Sequence, residues 1–454
     1  MTDELRGHRE VRRVLFCILA CFFLSGATGL IYEVLWIRAL GLVFGHTVFA
    51  ITTVLTAFMA GLGLGSFLFG RLADRRRDLL RLYGILEGGI GLYCLGIPLL
   101  LSTVEAIHLV LYRSLHLSFY AFSLAQFGLT FLILVVPTTL MGATLPILSR
   151  FFVREEATLG RRVGLLYALN TLGAVLGAAL AGYFLLPSFG MRGTLYLAAT
   201  LNIGLAALVI VYDRHLRRLR EQGFWNEEAI PPQSMPERAG SRRALGGVIG
   251  LTVIGLGLSG AASMVYEVAW SRALSLIIGS STYAFTAMLV VFLVGIALGS
   301  YLFSQLWGER PVAPFTFGVI ELGIGLTALL ILPAFGKMPE LFLGAMAISD
   351  SPGFVLIVQL LLSFVAMIVP TLLIGATLPC AVRIAARGVS QVGSDVGSIY
   401  AVNTLGAIVG TLLAGFVLIP AVGVQVTVKL AVLLNILVGA AILLVSFHAV
   451  ASWR

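Results

Sequence analysis

A Tyr-Glu pair, a Trp and an Arg occur twice at one spacing. Tyr32, Glu33, Trp36 and Arg38 lie in GATGLIYEVLWIRALGLVFGHTVFA at 26–50, and Tyr266, Glu267, Trp270 and Arg272 in GAASMVYEVAWSRALSLIIGSSTYA at 260–284. Both stretches are otherwise apolar and of helix length. A carboxylate held in hydrocarbon costs ~2.5–3.5 kcal/mol or more, so an acid kept there faces a cavity, a cation or another ionisable partner. Two chemistries fit. Glu33 and Arg38 are five apart, about 140° around a helix, and so do not share a face. Cross-pairing of Glu33 with Arg272 and of Glu267 with Arg38 would instead make a double salt bridge, an outer gate. Left unpaired, the two acids would form a cation-binding site, with Tyr32, Tyr266, Trp36 and Trp270 either as a cation–π wall or as ordinary interface anchors.

A second acid pair, Glu87 and Glu321, sits at the same offset of 234 residues in other apolar stretches. These two read either as structural pairing with nearby arginines or as a proton relay or inner binding site. Tyr167, Asn170 and Thr171 are matched by Tyr400, Asn403 and Thr404 and add hydrogen-bonding groups to that inner set. Pro137 and Pro146, matched by Pro370 and Pro379, interrupt the neighbouring segments, and broken helices inside a bundle free carbonyls for ligands.

The elements that must carry these residues follow from composition. With 59% hydrophobic and 11% charged residues, and a mean hydropathy of +1.02, the chain is too apolar for a soluble domain. Apolar runs at 14–44, 47–70, 82–104, 121–149, 163–187, 194–212, 244–278, 282–306, 313–335, 354–382, 396–420 and 425–448 each reach the ~20 residues a hydrocarbon core demands. The fold expected is therefore an all-α polytopic membrane protein of twelve spanning helices. Of the 30 Lys and Arg, six (Arg38, Arg113, Arg192, Arg272, Lys337, Lys429) fall on one side and 24 on the side of the termini. The positive-inside rule then puts both termini in the cytoplasm, within a bacterial inner membrane. The net charge of +9 is accounted for by that bias and implies no nucleic-acid partner.

The repeat runs through the whole chain. Beyond the opening motif, PTTLMGATLP at 137–146 matches PTLLIGATLP at 370–379, and YALNTLGAVLGAALAG at 167–182 matches YAVNTLGAIVGTLLAG at 400–415, now at an offset of 233. The expected organisation is a cytoplasmic N-terminus at 1–13, a six-helix repeat at 14–212, a polar cytoplasmic linker at 213–243, a second six-helix repeat at 244–448 and a cytoplasmic tail at 449–454. An even number of helices per copy makes the copies parallel, related by an axis along the membrane normal.

Other patterns read as structure. Gly255, Gly257 and Gly260 spell GxGxxG but inside a membrane run with no preceding strand, so no phosphate site is expected. Small residues four apart (Gly61 and Gly65, Gly173 and Gly177, Gly295 and Gly299, Gly406 and Gly410) read as close helix packing, with sliding surfaces as a second use. The four cysteines and six histidines show no metal or nucleophile spacing, so no cofactor and no enzyme are expected.

GRLADRRR at 70–77 resembles the loop signature of the major facilitator superfamily and implies that twelve-helix plan. YEVLWIRALGLVFG, YEVAWSRALSLIIG, the two GATLP segments and YALNTLGAVLGA together resemble the membrane portion of bacterial fused membrane/spermidine-synthase-like proteins, over nearly all of 14–448. No aminopropyltransferase domain is read after Arg454, so the resemblance carries no enzymatic activity over to this chain. The two-half plan leads to the expectation of a secondary transporter, and the carboxylates and their aromatic neighbours favour a small cationic or zwitterionic metabolite. The resemblance implies a polyamine such as spermidine or putrescine, exported in exchange for protons. The alternatives are an anion or amino-acid carrier clamped by Arg38 and Arg272, and a non-transporting membrane module that serves a separate aminopropyltransferase. Expected partners are a small-molecule substrate and the lipid bilayer. A cysteine placed at Ser234 in a background lacking Cys17, Cys21, Cys94 and Cys380 should be labelled by a membrane-impermeant thiol reagent only after cells are permeabilised; labelling of intact cells would invert the topology.

Overall fold

The computed structural model describes residues 2–44, 48–114, 119–224, 241–279 and 282–451. Most of the linker read from the sequence, 225–240, lies outside them, as do Met1 and 452–454 of the termini. Helices account for nearly all of what is described, since a backbone in hydrocarbon must satisfy every N–H and C=O within its own segment. In chain order they are α1 (Thr2–Phe44), α2 (Val48–Arg75), α3 (Leu79–Ser114), α4 (Phe119–Phe152), α5 (Leu159–Leu180), α6 (Leu186–Glu221), α7 (Ser241–Ile278), α8 (Thr282–Trp307), α9 (Pro314–Met346), α10 (Pro352–Ala385), α11 (Val392–Leu412) and α12 (Ile419–Ala451). One π turn joins α5 to α6 (Ala181–Leu185) and another joins α11 to α12 (Leu413–Leu418).

Among the described residues, ten continuous stretches are long and apolar enough to cross a membrane. Two of them, Glu156–Glu221 and Val389–Phe447, are 66 and 59 residues long, far beyond the ~20 residues of one crossing. Each is broken at a glycine with positive φ, Gly190 (64°) and Gly423 (77°), at equivalent positions of the repeat. A residue with a Cβ is disfavoured there, so glycine allows the chain to leave helical geometry and turn back. The returning α6 brings His215 to within 3.7 Å of Glu10, near the start of α1.

Helix ends differ from the sequence expectation. α1 begins at Thr2 instead of residue 14, and α6 continues nine residues beyond 212. The extension of α6 is held by burial of Leu216 and Leu219 and by an Arg217–Asp213 ion pair at 3.0 Å, one turn apart. Polar composition there marks the exposed face of a helix emerging from the membrane, and not a linker.

Packing within each half follows one scheme. α1 pairs with α5, α2 with α4 and α3 with α6, and in the second half α7 pairs with α11, α8 with α10 and α9 with α12. Small residues set these distances. A Cβ on Gly173 or Gly177 would collide with the backbone of Phe23 or Ala27 in α1; one on Gly406 or Gly410 would meet Gly257 or Ala261 in α7. Gly61, Gly65, Gly295 and Gly299 play the same part for α2 with α4 and α8 with α10. These four-residue pairs thus lock helices inside a half, and sliding between halves falls to α2 against α11 and α5 against α8. Gly173→Ala should therefore lower the melting temperature, since overpacking costs ~1–3 kcal/mol. Gly204→Ala, in α6 with open space around it, should leave the melting temperature unchanged or raise it, through helix propensity.

Candidate functional site

A cavity of about 210 Å³ lies between the halves. At roughly 10–15 Å³ per water centre, it holds on the order of fifteen waters, enough for a small metabolite. Its walls come in matched pairs from α1 and α7, α2 and α8, α4 and α10, and α5 and α11: Ser25 with Ser259, Glu33 with Glu267, Phe58 with Phe292, Tyr167 with Tyr400, Asn170 with Asn403, and Thr171 with Thr404. No Lys, Arg or His is among the described lining residues.

Glu33 is 4% exposed and Glu267 is partly buried. Both line the cavity, Glu33 from α1 and Glu267 from α7. Among the described residues no hydrogen bond or ion pair reaches either carboxylate. The cross-pairs expected from the sequence are therefore absent. Arg272 is exposed, and Arg38 instead donates from Nη1 to the Thr282 hydroxyl at the start of α8. Neither arginine lines the cavity, which removes the clamp expected for an anion. The spacing argument chose the opposite half correctly for Arg38 but named the wrong acceptor, because periodicity gives the face of a helix and not its depth against a neighbour.

The aromatic wall is also relocated. Tyr32, Tyr266, Trp36 and Trp270 are all buried and none of them lines the cavity. Tyr32 stacks on Trp36 at 5.7 Å and Tyr266 on Trp270 at 4.9 Å, one helical turn apart in each case. The aromatic residues that line the cavity with the acids are, among the described residues, Phe58, Phe292, Tyr167 and Tyr400, and the two tyrosines lie edge to face at 6.5 Å across the interface. Sequence reading grouped these two with Asn170 and Asn403 in an inner set with Glu87 and Glu321; the structure places them with Glu33 and Glu267.

Glu87 and Glu321 are fully buried behind the cavity wall and make no ion pair with an arginine among the described residues. Glu87 accepts from Ser25 Oγ (2.5 Å) and Asn202 Nδ2 (2.6 Å), and Asn202 Oδ1 accepts from Tyr32 OH (3.0 Å). The second half repeats the chain as Tyr266 OH to Asn435 (2.9 Å) and Asn435 Nδ2 to Glu321 (2.7 Å), but Glu321 Oε1 is left without a hydrogen-bond partner. Asn202, Asn435 and Ser25 escaped the sequence reading. The first two lie on α6 and α12 at the 233-residue offset of the repeat, which is the signal that could have found them.

Further contacts join the two halves toward both ends of the helices. On the face carrying the termini, Asp74 accepts from the backbone N–H groups of Gly393 (2.9 Å) and Ser394 (2.7 Å) at the start of α11 and lies 3.5 Å from Arg150. Arg161 donates its N–H to the Gly308 carbonyl (3.1 Å) and pairs with Glu309 (2.6 Å). At the opposite face Tyr183 stacks on Tyr283 at 6.1 Å, beside the Arg38–Thr282 contact.

No family model matches the chain. Two curated proteins are similar to part of it. Polyamine aminopropyltransferase 1 of Streptomyces coelicolor is 27% identical over 223 residues, which is 47% of this chain and 38% of that protein. The polyamine aminopropyltransferase of Leptospira interrogans is 28% identical over 178 residues, 39% of this chain and 32% of that one. The chain thus spans less than two fifths of the length of either relative. Among solved structures, a bacterial homologue of the iron transporter ferroportin in an outward-facing state superposes with a TM-score of 0.56 at 12% identity, covering 96% of this chain and 99% of that one. The E. coli fucose:proton symporter gives 0.52 at 16% (96% and 98%), and a major facilitator proton:xylose symporter 0.55 at 13% (94% and 95%). The fold is that of major facilitator transporters.

Asn202→Leu strips the partner from Glu87 Oε2 and from Tyr32 OH, and a buried polar group left unsatisfied costs ~1–3 kcal/mol. It should lower the melting temperature clearly more than Tyr32→Phe, which leaves the bond from Asn202 to Glu87 in place; equal shifts for the two would show that the chain of bonds does not hold Glu87.

Proposed function

We propose that the chain is a secondary active transporter of a small organic cation, with Glu33 and Glu267 as the binding carboxylates and alternating access by rocking of the two halves. The observation that carries this reading is the pair of carboxylates facing a membrane-embedded cavity that offers no basic side chain. An uncompensated carboxylate in low dielectric is expensive, so these two are neutralised in turn by protons and by a cationic substrate. Competition between the two for one site makes exchange coupling a consequence of the geometry.

A polyamine fits this chemistry, and the partial similarity to two polyamine aminopropyltransferases supports the same substrate class. With the termini in the cytoplasm of a bacterial inner membrane, as the arginine bias suggests, the direction would be outward against incoming protons. The same similarity favours a second reading, a membrane module that holds or serves a separate aminopropyltransferase without moving anything itself. Flux separates the two.

Glu33→Gln and Glu267→Gln should each abolish uptake of labelled polyamine into inverted vesicles while leaving the melting temperature within a few degrees of the wild type. Wild-type flux in both variants would remove the carboxylates from the site. Absence of flux in the wild-type protein would favour the module.

A further inference from the structure

The cavity is itself two half-sites, and this gives the ligand a shape. We infer that it takes one linear α,ω-diamine, a dication with one ammonium at Glu33 and the other at Glu267 and its methylene chain between them; the inference rests on the amine-transport reading above. Each half supplies the same groups to its own end: a carboxylate, a phenol, a carboxamide and hydroxyls, from Glu33, Tyr167, Asn170 and Thr171 on one side and Glu267, Tyr400, Asn403 and Thr404 on the other. A ligand with two like ends can satisfy both sets at once.

An ammonium donates up to three hydrogen bonds and accepts none, so its site must be made of acceptors. The half-sites meet that requirement. The carboxylates are acceptors only when ionised, and Asn170, one of whose Nδ2 hydrogens goes to the Phe22 carbonyl (3.3 Å), keeps its Oδ1 as an acceptor. The Tyr167 and Tyr400 rings, edge to face, add faces for a cation. The lining also supplies hydrocarbon, Phe58 and Phe292, Leu62 and Ile296 among it, which suits methylenes.

The same arrangement rejects nearby alternatives. A monoamine neutralises one carboxylate and leaves the other charged and close by. An amino acid brings a carboxylate into a cavity without a basic side chain to receive it. A dication also bridges the halves, since its two ends are held by different six-helix units. Binding therefore draws the halves together over the occupied site, which a one-ended ligand does not do.

Isothermal titration of the purified full chain with 1,4-diaminobutane, n-butylamine and 4-aminobutanoate, three ligands of one length, tests this. We expect one diamine per chain, bound tighter than butylamine or 4-aminobutanoate by about tenfold or more, as one extra charge-assisted contact provides. In Glu33→Gln and in Glu267→Gln the diamine should lose about tenfold or more and bind no tighter than butylamine does to the same variant. The wild-type comparison stands even where a variant does not fold. Butylamine or 4-aminobutanoate binding as tightly as the diamine would overturn the two-ended site and leave the amine-transport reading intact. Tighter binding of Mg²⁺ or Ca²⁺ than of the diamine would overturn it in favour of a metal. Binding of no amine at all would overturn it together with the amine-transport reading.

Discussion

In hydrocarbon a carboxyl group has three ways to persist: bonded to donors, neutralised by a proton or cation, or facing a polar cavity. Three of the four acids of the repeat show two of these solutions. Glu87 takes the first, with both oxygens held by Ser25 and Asn202. Glu33 and Glu267 take the last, and the rest of the fold keeps that cavity in being. Close glycine contacts bind α1 to α5 and α7 to α11, so the helices carrying acid, phenol and amide move as one rigid wall in each half. Were those pairs loose, Glu33 and Tyr167 would have no fixed relation, and neither would Glu267 and Tyr400.

Ser25 joins the two levels. It lines the cavity and also donates to Glu87, so a ligand or proton at the wall and the buried carboxyl behind it share one hydroxyl. A hydroxyl has a single proton to give. Anything in the cavity that claims it alters the hydrogen bonding of Glu87, and through Asn202 that of Tyr32 and its stack on Trp36. The YE..W motif is thereby explained as two functions on one helix. The acid faces the cavity, while the Tyr is buried in its half, where it ties α1 to α6 and α7 to α12 and stacks on the Trp one turn along.

The twice-repeated motifs and the membrane class were legible in the sequence because both depend on residue type and period alone. Helical periodicity also separated Glu33 from Arg38 correctly. What it could not supply was rotation about the axis of the bundle: Tyr32 and Glu33 are adjacent, about 100° apart, and chemistry alone suggested that an aromatic beside an acid shares its site. The site aromatics come from another helix altogether, as do Asn202 and Asn435, which sit alone in apolar segments where nothing local announces them. Ends of helices were misplaced at 14 and 212 because a charged surface on an emerging helix has the composition of a linker.

The symmetry of the centre is not kept at its two ends. Equivalent backbone donors, Ser394 N–H and Arg161 N–H, find the Asp74 carboxylate in one case and the Gly308 carbonyl in the other. A charged acceptor makes roughly twice as strong a bond as a neutral one. On the opposite face Arg38 reaches Thr282, whereas the position equivalent to Thr282 is Val48, which has no hydroxyl to offer Arg272. Duplication alone would have produced two equal latches at each end. Matched walls around the cavity are thus joined by unmatched contacts at either end, so the pseudo-symmetry of the chain belongs to its centre and not to its ends.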